Sequence, residues 1–314
     1  MKLVRSSLCL IASLFLLVLG GCAKTTPPVP AGATNVQPWL IGSVRGWAYR
    51  SAHYRICTTV TDAALLARFI RVMEAAHERY AALYPAPSGR DWPLEIDLLR
   101  TDQEWRDFTA AVAGAEAEGY LLVGTGGYTL GDRFVCRSGD EAALFSVAAH
   151  EGLHQYMARH FRTRLPPSIE EGLATMFETV EVSGDSVRFD FASNPRRQAA
   201  LARLTADSTI PLDQLLQMNA GDVAGAGELS ERYYAQCWVL ARLWTTDQRY
   251  HDGFRRLTSL CAMQRVEALS EPDAGPTAYR PAAVQPLLQQ YVAPDWPAFV
   301  AAYGQSLTDL SKNP

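Results

Sequence analysis

The spacing of hydrophobic and polar residues predicts strands and helices in alternation first, and mainly helices afterwards. Residues 44–60 and 93–99 have the alternating pattern of strands. Between them, residues 62–80 repeat apolar side chains every three or four positions, which predicts a helix capped by Asp62. From residue 194 onward, helical patterns predominate. This order of elements predicts an α+β fold with a small mixed sheet followed by a helical part.

The mature chain is long enough for one large or two fused small domains. We expect residues 44–193 to form an α/β subdomain and residues 194–314 a helical one. Within the first, residues 120–123 and 132–136 are expected to be strands, and residues 179–191 read as a β-hairpin.

The N-terminus has the composition of an export signal. Lys2 and Arg5 precede an apolar run that is too short to span a bilayer as a stable helix. Residues 1–22 end in Leu-Gly-Gly-Cys, which resembles a bacterial lipobox. The resemblance implies acylation of Cys22 and a lipid-anchored protein of the cell envelope, and the absence of aspartate at Ala23 favours the outer membrane. An ordinary secretory signal or an uncleaved anchor is the alternative.

Composition and charge indicate an ordinary globular protein and argue against nucleic acid as its partner. The chain is 48% hydrophobic and 20% charged, as in ordinary globular proteins. A formal net charge of −4 argues against a nucleic-acid partner, which would favour a basic face. Residues 23–43, rich in Pro, Gly and Thr at their start, predict a flexible tether between membrane and domain.

The most specific chemical signal is an H-E-x-x-H pattern formed by His150, Glu151 and His154. On a helix, residues four positions apart share a face, so both imidazoles can bind one metal ion. Glu151 is offset around the helix and is free to face a water on that metal. The preceding run from Glu141 is rich in helix formers, which is the context that the motif needs.

The third metal ligand has two candidates. His160 stands where the metzincin pattern places its last histidine, but Met157 replaces the glycine that lets the chain leave the helix. If the helix continues, His160 points away from His154. Glu171 lies early on a second predicted helix, starting near Ser168, and can meet the histidines from the side.

Two alternatives for this segment stay open. Ser168 and Glu171 have the spacing of a capping box, which needs no metal. Glu170 could also replace Glu171 as the ligand.

The two motifs together resemble the gluzincins. His150 to Gln155, followed after a spacer by Pro-Ser-Ile-Glu-Glu-Gly-Leu-Ala at 167–174, is most similar to the peptidase MA-like group and to a related family of secreted bacterial proteins of unknown function. Ile169 stands where that family has a Trp-Leu pair. The resemblance implies a zincin-like fold and a Zn²⁺ ion held by His150, His154 and Glu171. It also implies hydrolysis of peptide bonds in a peptide or protein substrate, with Glu151 as general base.

A further segment, Tyr233 to Leu240, resembles a Y-A-Q-x-W-x-L helix of the same family. It implies that Tyr234 stabilises the developing oxyanion; Tyr233 and His251 are alternatives, and a core aromatic role for Tyr234 is equally open. Zincins place the edge strand of their sheet shortly before the zinc helix. Residues 120–136 are therefore the candidate substrate-lining strand, with an ordinary inner strand as the alternative.

The predicted function is that of a lipid-anchored zinc metallopeptidase. The alternative is a non-catalytic envelope lipoprotein that binds a partner and carries a structural or silent zinc site.

Four cysteines follow Cys22 in the chain. Outside the cytoplasm, an even number suggests disulfides. The expected pairs are Cys57 with Cys136 and Cys237 with Cys261, and the other pairings stay open.

Overall fold

The computed structural model describes residues 27–85, 92–122, 126–131, 133–269 and 279–312. The predicted leader, including Cys22, lies outside these ranges. Among the described residues, no helix combines the length and the apolar character needed to cross a membrane.

A six-stranded mixed sheet occupies the first half of the chain. Its strands are β1 (Thr34–Ile41), β2 (Val44–Arg50), β3 (Tyr54–Thr58), β4 (Leu94–Leu99), β5 (Gly127–Leu130) and β6 (Arg133–Arg137). They lie in the order β1-β2-β3-β4-β6-β5, so β1 and β5 are the two edges. The central strands β3, β4 and β6 are parallel, and the outer pairings are antiparallel.

Helices cover both faces of this sheet. They are α1 (Ala63–Leu83), α2 (Asp102–Ala113), α3 (Ala117–Leu121) and α4 (Glu141–His160). Alternate side chains of the strands point to opposite faces. One set, which includes Ile56 and Phe134, packs with α1 and α4. The other set, which includes Cys57 and Val135, packs with α2 and α3.

The rest of the chain is mainly helical, and the predicted α+β class is confirmed. A two-stranded hairpin interrupts the helices, as predicted. The elements are α5 (Pro167–Thr175), β7 (Val180–Ser183), β8 (Ser186–Phe189), α6 (Pro195–Leu201), α7 (Leu212–Leu215), α8 (Ala220–Val223), α9 (Glu228–Thr246), α10 (Gln248–Met263), α11 (Val284–Tyr291) and α12 (Trp296–Lys312). Helix α9 is the centre of this part, and its Trp238 and Trp244 are fully buried.

Side-chain caps mark the starts of α1, α2 and α4, and the cap predicted at Asp62 is formed. The Asp62 carboxylate accepts hydrogen bonds from the backbone of α1. Thr101 and Glu104 form a reciprocal capping box at the start of α2. Helix α4 begins after Asp140 and continues without a break through Met157 to His160. Both histidines of the motif therefore lie on one regular helix.

The prediction of a flexible tether over residues 23–43 is wrong for its second half. Strand β1 begins at Thr34 and pairs with β2 as far as Ile41. Trp39 explains the difference, because it is buried and its ring lies 5.7 Å from that of Phe108. Pro38, which reads as a strand breaker, is tolerated because β1 is an edge strand.

The predicted strand over residues 120–123 is also wrong as far as it is described. Residues up to Leu121 form α3, and residue 123 lies outside the described residues. The helix places the Tyr120 ring 4.6 Å from the Tyr128 ring, which gives this apolar segment its packing without a place in the sheet.

The predicted disulfides are not formed: Cys57, Cys136, Cys237 and Cys261 are all free thiols and all buried. Cys57 and Cys136 lie on strands that β4 separates, and their side chains pack on opposite faces of the sheet. Their Cβ atoms thus cannot approach as a disulfide requires. Cys237 lies where α9 crosses α5, whereas the Cys261 carbonyl accepts a hydrogen bond from Thr163.

Helices α5 and α9 cross in direct backbone contact at Gly172. A Cβ atom at this position would lie 2.3 Å from the carbonyl oxygen of Cys237 and 3.0 Å from its carbonyl carbon. Only glycine fits at such a crossing. The glycine of the Glu-Glu-Gly-Leu-Ala segment therefore sets how closely α9 approaches the neighbouring Glu171.

We expect Gly172→Ala to lower the free energy of unfolding by about 1–3 kcal/mol or more, because the new methyl group must push two backbones apart. The measurement is urea unfolding of the purified protein. Gly119→Ala is the control: it lies in α3 with open space around its Cβ position, and we expect stabilisation of about 0.5–1 kcal/mol. Equal stabilities for the two variants would contradict the close crossing.

Candidate metal centre

Helix α4 brings two imidazole nitrogens together. The Nε2 atoms of His150 and His154 lie 3.2 Å apart, and both side chains are buried. The four-residue spacing places the two rings on one face of the helix, as the sequence predicts. Their contact leaves the two Nε2 atoms directed at a common point beside α4.

Glu171 supplies the third donor atom from α5. Its Oε2 lies 3.1 Å from His150 Nε2 and 3.3 Å from His154 Nε2. Helix α5 begins at Pro167, and its N-cap, Pro166, makes no side-chain capping bond. The capping box proposed for Ser168 and Glu171 is therefore not formed, and the Glu171 carboxylate turns towards the histidines instead.

The three donor atoms fit a metal ion in number, type and spacing. These atoms of His150, His154 and Glu171 form a compact group that could hold one. Three ligands of a tetrahedral zinc ion, with bonds of about 2.0–2.1 Å, lie about 3.3–3.4 Å apart. The observed separations of 3.1–3.3 Å are close to that triangle.

The Nδ1 atom of each histidine contacts a carboxylate, and each of these carboxylates is paired with an arginine. His150 Nδ1 lies 3.0 Å from Glu178, whose other contacts include Arg197. His154 Nδ1 lies 2.8 Å from Glu170, which is paired with Arg164. A carboxylate on Nδ1 fixes the ring orientation and leaves Nε2 free to bind a metal.

The charges at this site balance only with two further positive charges. The carboxylates of Glu170, Glu171 and Glu178 exceed the guanidinium groups of Arg164 and Arg197 by one negative charge, and the partly buried Glu151 beside them adds a second. A divalent cation on neutral imidazoles would supply both, and so would protonation of the two histidines. Burying uncompensated charge is costly, so the site favours one of these two states.

The pKa values of both histidines are raised, which likewise favours positive charge at this site. Burial alone would lower the pKa of His150, but hydrogen bonds to Glu171 and Glu178 outweigh it and raise the pKa to about 9. Burial also opposes the charged form of His154, yet Glu171 and Glu170 raise its pKa. Conversely, burial would raise the pKa of Glu171, and the two imidazoles hold it well below its usual value.

Glu151 lies beside the donor triangle and contacts the sheet edge. Its Oε2 accepts a hydrogen bond from the Thr129 hydroxyl of β5 at 2.8 Å. The same hydroxyl lies 3.2 Å from the Glu151 carbonyl oxygen. Glu151 is only partly buried, unlike Glu170 and Glu171. The structure therefore leaves this carboxylate at the accessible side of the site.

Tyr234 is the aromatic residue that α9 brings to the site. Its ring lies 6.1 Å from the His150 ring. Burial, together with the charges of Glu171 and Glu151, raises the pKa of Tyr234 far above its usual value, so the phenol keeps its proton. Tyr233 is directed elsewhere, towards the carbonyl of Met218.

The other two candidate histidines are not brought to the site. His251 lies on α10 and pairs with its neighbour Asp252. His160 packs against the rings of Tyr156 and His77 near the end of α4. The unbroken helix is the physical reason that His160 does not join His154.

A second group of possible donors does not suit a metal ion. It contains Cys57, Glu95 and Asp97. Arg133 pairs with both carboxylates, and Arg55 also pairs with Glu95. Burial raises the pKa of the Cys57 thiol, so the sulfur stays protonated. A cation here would meet two guanidinium groups and a neutral thiol.

Sequence reasoning missed most groups behind the ligands. Glu170 enters the sequence analysis only as an alternative ligand. No local sequence pattern marks Arg164, Arg197 or Thr129. Arg197 and Thr129 contact glutamates that are far away in the chain, and Arg164 lies in the loop before α5. The signal that could have found the arginines is charge balance: a second helix with adjacent buried carboxylates needs nearby cations.

No protein-family model matches the chain, and no curated protein is significantly similar to it. The likeness to gluzincins consequently rests on the motif residues themselves.

We expect the purified protein to bind one zinc ion, and His150→Ala and Glu171→Ala each to lose it, because each removes one donor of three. His160→Ala is the matched control on the same helix and should retain the metal. Metal content by mass spectrometry after dialysis is the measurement. Full zinc retention by Glu171→Ala would contradict the donor triangle.

We expect Glu178→Gln to weaken zinc binding by about 10- to 100-fold, because the carboxylate that orients His150 loses its charge. Chelator competition gives the affinity. Glu181→Gln removes a carboxylate from the adjacent hairpin, where Glu181 forms an exposed pair with Arg188, and should bind zinc as the unmodified protein does. An equal loss in both variants would point to a general electrostatic effect instead.

Proposed function

We propose that this protein is a zinc-dependent metallopeptidase of gluzincin type that acts in the cell envelope on peptide or protein substrates. The observation that carries the proposal is the convergence of His150, His154 and Glu171 within 3.1–3.3 Å of one another, with Glu151 beside them. Zinc is the ion that best suits two imidazoles and one carboxylate in this spacing. A lipid anchor at Cys22 would hold the domain at the membrane.

Zinc bound by this set would polarise a carbonyl group and lower the pKa of an attacking water. Glu151 is placed to take the proton of that water and to pass it to the leaving amine. The partly buried position of Glu151, at the accessible side of the site, supports this role. Thr129 holds one of its oxygens and leaves the other for the water.

Tyr234 is our candidate for stabilising the oxygen on which charge develops. Its phenol keeps its proton, as a hydrogen-bond donor must. The ring lies on the His150 side of the donor triangle. A peptide bond attacked beside Glu151 could thus place its carbonyl oxygen within reach of this hydroxyl.

The sheet edge next to the site suits an extended peptide. Strand β5 is an edge strand, and its Thr129 contacts Glu151. An edge offers unpaired backbone N–H and C=O groups to which another strand can add. This supports the zincin-like reading, in which substrate binds along the strand nearest to the metal-binding helix.

The competing function is a non-catalytic binding lipoprotein with a structural or silent zinc site. One observation favours it: His150, His154 and Glu171 are each only 8% exposed. Structural zinc sites are closed, whereas catalytic sites keep an open position. Metal content and hydrolysis, measured on the same protein, separate the two functions.

We expect Glu151→Gln to lower the hydrolysis of unfolded casein by about 10²- to 10⁴-fold while keeping one zinc per chain, because it removes the proton acceptor and none of the donors. Fluorescent casein degradation and metal content are the two measurements. Glu228→Gln, a change at an exposed glutamate of α9, should leave both unchanged. Bound zinc with no hydrolysis by the unmodified protein would support the binding-protein function.

A further inference from the structure

Arg197 contacts two different parts of the site at once. Its side chain is almost completely buried, and its guanidinium pairs with both oxygens of Glu178, with Nε at 2.9 Å from one of them. The guanidinium carbon also lies 4.9 Å from the centre of the Tyr234 ring. The Arg197 guanidinium therefore contacts both Glu178, which pairs with His150, and the ring face of Tyr234, the candidate oxyanion-stabilising residue.

The position of Arg197 is itself fixed. Asn194 caps α6 by accepting a hydrogen bond from the Arg197 backbone N–H. The Asn194 amide group also donates to Glu178 at 2.8 Å. Helix α6 thus delivers Arg197 and Asn194 to the same carboxylate, and the guanidinium has little freedom to choose another partner.

Tyr234 depends on this cation more than on other polar contacts. A guanidinium over the face of an aromatic ring is attracted to the ring's negative face, most strongly where water is excluded. Within the described part of the chain, the Tyr234 hydroxyl makes no hydrogen bond that would orient it. The stack on Arg197 and the edge contacts with His150 and Tyr233 are then what fix the ring.

We propose that Arg197 is a positioning residue that couples metal retention to the placement of the Tyr234 hydroxyl. The part of this inference that concerns the oxyanion rests on the proposed peptidase function. The coupling itself requires only that the donor triangle holds zinc. Loss of the guanidinium geometry should disturb His150 through Glu178 and, separately, the ring of Tyr234.

Arg164 offers a matched control. It pairs with Glu170, the carboxylate behind His154, as Arg197 pairs with Glu178. Among the described residues, the cation–π contact at this site belongs to Arg197, and Arg164 has none. The two arginines therefore support the two ligand histidines alike, but only Arg197 also contacts the tyrosine.

The first experiment measures the rate at which zinc leaves for a chromogenic chelator. Tyr234→Phe keeps the ring under the guanidinium, and Tyr234→Leu removes it. We expect zinc release from the Leu variant to be about 3- to 10-fold faster than from the Phe variant, since Arg197 loses one of its two contacts. Equal rates would overturn the coupling. This comparison remains decisive if variants of Arg197 do not fold.

The second experiment is a double-mutant cycle with acetohydroxamate, a zinc-binding mimic of the transition state, measured by calorimetry on zinc-loaded protein. We expect Tyr234→Phe to weaken hydroxamate binding about 10-fold in the unmodified protein and less than about 2-fold in Arg197→Lys, where the ring is already misplaced. In Arg164→Lys the Tyr234→Phe effect should again be about 10-fold. An equal effect of Tyr234→Phe in both arginine backgrounds would refute a special role for Arg197.

Failure of the proposed function is distinguishable from failure of this inference. Absence of casein hydrolysis by the unmodified protein, together with the expected zinc-release and hydroxamate results, would refute the peptidase and leave the role of Arg197 intact. Casein hydrolysis by the unmodified protein, with additive effects of Arg197→Lys and Tyr234→Phe on hydroxamate binding, would support the peptidase and refute the role of Arg197.

Discussion

Two carboxylate–arginine pairs determine what this site can be. Glu178, paired with Arg197, contacts Nδ1 of His150, and Glu170, paired with Arg164, contacts Nδ1 of His154. Without the arginines, three carboxylates would share a space from which water is excluded, and their repulsion would be costly. With them, one negative charge remains, and together with that of the partly buried Glu151 it matches one divalent ion. A preference for such an ion would therefore come from the packing behind the three candidate ligands as well as from the ligands themselves.

The helical part of the chain completes the site. Helices α4 and α5, which carry the two histidines and Glu171, lie before residue 193, whereas α6 and α9 beyond it supply Arg197 and Tyr234. The close crossing of α5 and α9 at Gly172 ties two of these contributions together. The boundary predicted near residue 193 therefore lies between residues that contribute to the same candidate site.

The sequence predicted the local features of this protein well. The cap at Asp62, the continuation of helix α4 through Met157, and the position of Glu171 rather than His160 beside the two motif histidines all follow from residue spacing and short-range hydrogen bonds. Errors occurred where tertiary packing decides. Residues 34–41 join the sheet because Trp39 finds a buried place against Phe108, which composition does not reveal. The predicted pair of Cys57 with Cys136 failed because counting thiols does not show which face of the sheet each one occupies.

Strand β1 has a consequence for how the molecule would sit if Cys22 carries lipid. Only twelve positions separate Cys22 from Thr34, so the connecting chain reaches at most about 40 Å. The connecting chain ends at the β1 edge of the sheet. Thr129 and Glu151 lie at the opposite edge, five strand spacings or about 24 Å away. The point of attachment and the candidate metal centre would then lie at opposite margins of the same sheet.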